Sequence, residues 1–464
     1  MRTKYISIVL VIILIVAIPV AARFFNFGEP DYQSVITDAS IEAPIPDEPV
    51  IEPVLIAERG IDDITREEFL YDFDYLVYVL ETNFPSFGIV YRRHGVDMMS
   101  LAEELRKELT DESRDMDIER FIELIRVDFL GQARQIGHLR LVLYPEWRQI
   151  ISIDELNYDF FYYNFQYHPY LRDLSTFRLD VFRSAVSEKR YTHSRHLLDI
   201  RPMSDLDEVR AIEVDTIEDG RIAYINVRSL PNRISINPLD LETLTYFLSS
   251  IGGYQHLIID IREAPGGYRG FFDIIAKPLI RMPLTGRRDY FFMNGTRNME
   301  FMQTVLDSGM KRTFNISDLR TIIAPRITFP EYVLDDLMYM NYHFRMPHVM
   351  HPLPREERSP FQGKIWMLIS ESNASAAQIV ADFYKYSGFA TLVGETTRGM
   401  MPPPWSSAYF SLPNTGLIIR YDPAYVINPR SSRPLEEGTE PHYFNRRGLD
   451  ALETVLEMIR EADD

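Results

Sequence analysis

The chain has 464 residues, a formal net charge of −19 and no cysteine. Such acidity argues against nucleic acid as a partner, because phosphate binding needs a basic face. Without cysteine there can be no disulfides, no thiolate nucleophile and no cysteine-held metal centre.

Arg2 and Lys4 precede an uncharged apolar run, Tyr5 to Ala22, long enough to span a bilayer with its N-terminus inside. Val20-Ala21-Ala22 also suits a signal-peptide cleavage site, so residues 1–25 read as a signal-anchor or a signal peptide, and the length favours the anchor. Either way a membrane is a partner through this segment, and the rest of the chain is expected outside the cytoplasm. Residues 26–60 are acidic and Pro-rich with no sustained period, the pattern of an extended tether.

From Ile64 the periodicity becomes helical. Phe69, Phe73, Leu76, Val77 and Leu80 share a face, and Thr65 with Glu68 makes a capping box. Further helical patterns at roughly 97–109 and 117–130 make residues 61–145 an N-terminal helical domain. Residues 146–217 form an aromatic-rich, β-containing region. The stretch 157–170 could grip an extended peptide, although a β-rich packing layer is the simpler reading. From 218 to 464 strands and helices alternate: 221–227 strand, 238–248 helix, 256–262 strand, 271–279 helix, then a closing helix over 449–459. Alternation of this kind predicts an α/β core with a largely parallel sheet.

Three places in this frame carry chemistry. An apolar strand, Ile365 to Ile369, leads through a short turn to Ser375, flanked by Ala374, Ala376 and Ala377. A helical pattern follows up to Gly388, and a second strand covers Ala390 to Val393. A hydroxyl at a helix N-terminus meets free N–H groups and a favourable dipole, so Ser375 is either a nucleophile or an ordinary N-cap. Second, the strand before Arg262 ends in Pro265-Gly266-Gly267, where paired glycines let backbone approach a ligand. Third, Gly137-His138 stands just before an apolar, strand-like run.

In order and spacing these motifs resemble the C-terminal processing (tail-specific) serine protease family, and within it the branch of the tricorn core and the interphotoreceptor retinoid-binding protein. Ile258-Ile259-Asp260-Ile261-Arg262-Glu263-Ala264-Pro265-Gly266-Gly267 is similar to the family's Ile-Ile-Asp-Leu-Arg-x-Asn-Pro-Gly-Gly. Ser375-Ala376-Ala377-Gln378 resembles its nucleophile run, and Gly394-Glu395-Thr396-Thr397-Arg398-Gly399 its Gly-Glu-x-Thr-x-Gly. The resemblance implies a ClpP/crotonase-like core in residues 218–464 acting as the catalytic part of a serine endopeptidase. Its substrate is a peptide or protein, and no cofactor is needed. Where related proteases place a catalytic Lys this chain has Met400, which cannot accept a proton. The resemblance therefore implies His138 as base for Ser375, with a carboxylate to orient it. Glu436 or Glu437 stands before Gly438 and Pro441 at the matching place, and Glu436 is the choice. Gly267 and Ala376 N–H groups would hold the oxyanion, with Gly266 shaping the approach. An anchored binding or scaffold protein with a degenerate site is the alternative, since Gln378 stands where the family usually has Glu. No PDZ-like segment is evident between the helical domain and the core.

Other motifs are weaker. Ser308-Gly-Met-Lys311 with Tyr339-Met-Asn341 fits a penicillin-binding pattern but lacks a following Lys-Thr-Gly. The pairs His193/His196 and His348/His351 lack the Glu of a metallopeptidase helix and read as loop residues, so no metal is expected.

Overall fold

A computed structural model describes residues 64–142, 210–231, 236–307, 314–315, 329–400, 407–431 and 433–463. The apolar run at 5–22, the tether, the aromatic stretch 157–170, His193/His196 and Ser308–Lys311 lie outside the described residues. Among those described, no helix is long and apolar enough to cross a membrane.

Helix α1 (Arg66–Asn83) starts at the capping box read from the sequence: Thr65 accepts from the Glu68 N–H, and the Glu68 carboxylate accepts from the Thr65 N–H. Its buried stripe is Phe69, Phe73, Leu76, Val79 and Leu80. Helix α2 (Phe87–His94) ends on Gly95 in the left-handed conformation that favours glycine. Helix α3 (Met98–Thr110) is capped by Asp97, and α4 (Ile118–Glu123) by Asp117. After α4 the chain widens into a π-helical turn over Leu124–Phe129 and tightens into 3₁₀ turns that end at His138. Strand β1 (Arg140–Leu141) follows at once.

The central sheet has six strands. Strands β2 (Ile212–Glu218) and β3 (Ile222–Val227) are antiparallel. Helix α5 (Pro238–Ser250) crosses from β3 to β4 (His256–Asp260), which is parallel to β3. Helix α6 (Gly270–Ala276) follows β4.

Strand β5 (Leu284–Phe292), helix α7 (Thr296–Asp307), β6 (Phe314–Asn315), helix α8 (Glu331–Leu337) and β7 (Tyr342–Met350) then build most of a second sheet. The central sheet resumes with β8 (Lys364–Ile369), helix α9 (Ser375–Ser387) and β9 (Thr391–Gly394). Strands β10 (Ala408–Ser411), β11 (Ile418–Tyr421), β12 (Tyr425–Ile427), β13 (Tyr443–Phe444) and helix α10 (Ala451–Asp463) complete the order.

The central sheet runs β13-β9-β8-β4-β3-β2, parallel except at β2. Its strands β4 and β8 are buried and apolar almost throughout, as parallel strands covered on both faces must be. Helix α10 covers one face, setting Ala451, Val455 and Ile459 against Ile222, Ile258, Trp366, Leu368 and Val393. The mixed α/β architecture with a largely parallel sheet is therefore present. Two antiparallel sheets accompany it, β12-β5-β7-β6 and β1-β11-β10.

The helices and sheets pack as one unit. Buried polar seams join them. The Asp72 carboxylate of α1 accepts the backbone N–H and side-chain groups of Asn414 and Thr415, in the turn between β10 and β11. Asn83 accepts two hydrogen bonds from Asn298 of α7, its Oδ1 from the backbone N–H and its carbonyl from the side-chain amide. Arg92 of α2 forms a two-pronged ion pair with Asp336 of α8, and Tyr425 donates to the same carboxylate.

Candidate active site

Strands β4 and β8 are parallel neighbours, so the loops leaving their C-terminal ends emerge side by side. Asn373 ties the two loops together. Its amide donates to Ile261 O at 2.6 Å and Ala264 O at 2.9 Å, while its oxygen accepts the Ser370 N–H. Ser370 donates to Arg262 O at 2.8 Å, and the Ala374 N–H donates to Pro265 O at 3.2 Å. The result puts Gly266 against Ser375: a Cβ on Gly266 would lie 3.3 Å from that of Ser375 and 3.0 Å from Ala374 O. With φ at +140°, that position excludes a side chain on two counts.

Ser375 is the first residue of α9, and the N-cap position belongs to Ala374; among the described residues the serine hydroxyl has no hydrogen-bond partner. The cap reading of this serine fails. Its N–H donates to Met400 O at 2.9 Å, while Ala377 and Gln378 N–H groups turn back to Ala374 O. Among the described residues the N–H groups of Ala376 and Gly267 have no acceptor. Those two donors were expected from the resemblance.

Met400 links the serine to Glu436. Its N–H donates to Glu436 Oε2 at 2.8 Å while its carbonyl accepts from Ser375. Glu436 is 2% exposed, in a 3₁₀ turn over Leu435–Glu437. Arg93 of α2 braces the same turn from the helical side, donating to Arg398 O at 2.7 Å and Glu436 O at 2.8 Å. Gln378 fills the family's Glu position structurally: it accepts from Thr397 and donates to Thr439 Oγ1 at 2.7 Å, locking the 394–399 loop to residues 435–439. Glu437 is engaged elsewhere, with Tyr332 and Arg433.

The histidine has a different carboxylate from the one chosen. His138 Nδ1 lies 2.5 Å from Asp422 Oδ2, and the Asp422 N–H donates to Gly137 O at 2.7 Å. Asp422 Oδ1 accepts from Ser407 at 2.6 Å, and Ser407 accepts from Arg420 Nε. The carboxylate is an acceptor, so Nδ1 carries the proton and Nε2 is the basic nitrogen. Burial pushes the imidazole below its ordinary 6.5, and Asp422 opposes that fall. Burial thus favours the neutral ring, the state a general base requires. Glu436 does not orient this ring through Nδ1; it holds the Met400 peptide instead. Asp422 closes an apolar strand within Tyr421-Asp422-Pro423, and nothing in its local spacing marks it. An acid at the end of a buried strand, 1% exposed once folded, was the available signal.

Backbone strain singles out the same two clusters. Five non-glycine residues among those described have positive φ: Arg134, Gln135, His138, Ser375 and Met400. Each such conformation costs on the order of 1–3 kcal/mol and persists where surroundings over-determine it. All five lie in the turn that presents the histidine or the turns that present the serine.

His348 does not lie in a loop: it is on β7, with its ring 4.5 Å from that of Phe383. Among the described residues no group of three or more His, Asp or Glu side chains could hold a metal ion.

The fold and the motifs can be set beside known proteins. Among solved structures, a protein from Parabacteroides merdae ATCC 43184 is 14% identical, with 85% of this chain and 96% of that one covered at a TM-score of 0.48. Mature CPAF complexed with lactacystin is 12% identical over 86% and 97%, at 0.47. The photosystem II D1 C-terminal processing protease is 14% identical over 54% and 52%, at 0.30. Residues 221–444, which carry Gly266, Gly267, Ser375, Asp422 and Glu436, match the model of peptidase family S41. That region belongs to the family, and the protein is a serine-type peptidase.

Proposed function

We propose that Ser375 is the nucleophile, His138 its base and Asp422 the carboxylate that orients the imidazole. The Ser375 hydroxyl attacks a peptide carbonyl and passes its proton to His138 Nε2. The tetrahedral oxyanion is received by the Gly267 and Ala376 N–H groups, and collapse expels the amine with the proton returned from Nε2. Water, deprotonated by the same nitrogen, then hydrolyses the acyl-enzyme. The pair of unclaimed N–H donors flanking an uncapped serine hydroxyl carries this reading. A helix dipole directed at the same point strengthens it.

Glu436 is assigned a holding role: through Met400 it keeps the strained serine turn in place. The catalytic part is assigned to the outside of the cytoplasm, on the strength of Arg2, Lys4 and the apolar run to Ala22.

The test is covalent labelling with a fluorophosphonate. The folded protein should label, and both Ser375→Ala and His138→Ala should abolish labelling. Undiminished labelling of Ser375→Ala would move the nucleophile elsewhere.

A further inference from the structure

His138 and Asp422 continue one row of the three-stranded sheet β1-β11-β10. Arg140 of β1 pairs with Arg420 of β11, and Arg420 pairs with Tyr409 of β10. Residues two apart on a strand share a face. Carrying the antiparallel register two residues beyond this row therefore sets His138 opposite Asp422, and Asp422 opposite Ser407. The hydrogen bonds run along it. His138 Nδ1 lies 2.5 Å from Asp422 Oδ2, and Ser407 Oγ donates to Asp422 Oδ1 at 2.6 Å. All three side chains are buried.

The neighbouring row supports this one. Arg420 Nε donates to Ser407 Oγ at 2.9 Å, and the Arg420 guanidinium lies 5.8 Å from the centre of the Tyr409 ring. A serine hydroxyl has one proton to give, and with its oxygen engaged from the Arg420 side that proton goes to Asp422. The carboxylate is thus gripped at both oxygens, by Ser407 on one and by the imidazole on the other. Turning it breaks one grip. Burial disfavours a charged His138 most, and the charges of Arg420 and Arg140 add to that, while Asp422 opposes them. Where this carboxylate points therefore decides how well the ring holds a proton in transit.

We propose that Ser407 is a positioning residue which, backed by Arg420, keeps the Asp422 carboxylate turned to His138 Nδ1 during peptide hydrolysis. This rests on Asp422 serving His138. Ser407 acts only through Asp422, so its loss resembles a partial loss of that carboxylate.

The experiment measures kcat, KM and the acid limb of kcat/KM on one peptide substrate. Ser407→Ala should lower kcat by on the order of tenfold to a hundredfold, the worth of a hydrogen bond to a charged group, with KM within about twofold. Its acid midpoint should move down, the direction expected for Asp422→Ala. Ser407→Thr keeps the hydroxyl and should recover kcat to within about threefold of wild type. Adding Ser407→Ala to Asp422→Ala should cost less than about threefold more, because no carboxylate is left to position. Arg420→Gln and Arg420→Met both remove the charge, but Gln keeps an N–H at the place of Nε and should exceed Met in kcat by about threefold to tenfold. Unchanged kcat or an unmoved midpoint in folded Ser407→Ala, or its full loss repeated in the Asp422→Ala background, overturns the positioning role. If Ser407→Ala does not fold, the Arg420 pair decides: equal kcat for Gln and Met overturns the proposal. Wild-type kcat in Asp422→Asn would instead overturn the Asp422 assignment, and the role of Ser407 with it.

Discussion

Ser375 and His138 sit in neighbourhoods built on opposite plans. The serine is presented by two adjacent parallel strands of the central sheet, β4 and β8, and, apart from the Arg93 brace, the hydrogen-bonding groups described around it lie within the stretch 260–440. The histidine is presented by a π-helical widening and a run of tight turns after the helices. Its partner, Asp422, lies 284 residues further on, just after β11, the strand with which β1 pairs directly after the histidine. One neighbourhood is assembled by local order along a sheet, the other by long-range pairing of the strand after the helical part with β11. Catalysis, on the reading proposed, needs both at once.

The strongest way to break this contrast is to remove the reactive oxygen. Ser375→Ala should lower kcat on a peptide substrate by on the order of 10⁶-fold. Its melting temperature should stay put, because among the described residues the hydroxyl has no hydrogen-bond partner. Next comes the choice between carboxylates. Asp422→Asn presents the wrong hydrogen-bonding face to Nδ1 and should cost on the order of 10⁴-fold in kcat. Glu436→Gln keeps an oxygen for the Met400 N–H and should stay within about tenfold of wild type. A reversed order of these two losses would make Glu436, the choice from the sequence motif, the group that serves His138.

A smaller effect sharpens the electrostatics. A base must be deprotonated to act, so kcat/KM rises as pH climbs through the His138 pKa. Burial lowers that pKa, and the acid limb should have its midpoint below 6.5. Because Asp422 is what opposes the fall, residual activity in Asp422→Ala should show a midpoint lower still. A wild-type midpoint above 7 would contradict the neutral, buried ring.

The least dramatic test concerns the junction rather than the chemistry. Burial pushes Asp72 up to about 6 from its ordinary 3.8, against the pull of its hydrogen bonds. The folded state therefore holds its proton more tightly, and the stability linked to Asp72 is greatest at low pH and lost as pH rises through about 6. The slope is at most about 1.4 kcal/mol per pH unit within that window. Urea midpoints at pH 4.5 and 7.5 should separate more for wild type than for Asp72→Asn. Equal separations would show that Asp72 is charged throughout.

How much of this could be read beforehand follows the same division. Ile365 to Ile369, Ser375, Gly388 and the Pro265-Gly266-Gly267 turn announce themselves because strand, turn and helix are local, and their residue types are set by local need. The capping box at Thr65 is legible for that reason too. The antiparallel sheet containing β5 and β7 is not, since its pairing joins Leu284 to Met350 across a long insertion and leaves no short-range period. The role of Asp422 is not legible from an acid at a strand end alone, because it depends on a junction between distant segments. Glu436 stands at the place the motif marks but does something else there, since its neighbour is the Met400 peptide.

The span between His138 and Asp422 bears on how such a hydrolase coexists with its own synthesis. While the ribosome is still extending the polypeptide, a finished imidazole has no acid to steady it, and the nucleophile turn lacks its brace until residue 436 has emerged. On this view the newborn molecule is inert by construction. Potency would switch on when the segment carrying Asp422 and Glu436 folds back on the one carrying His138.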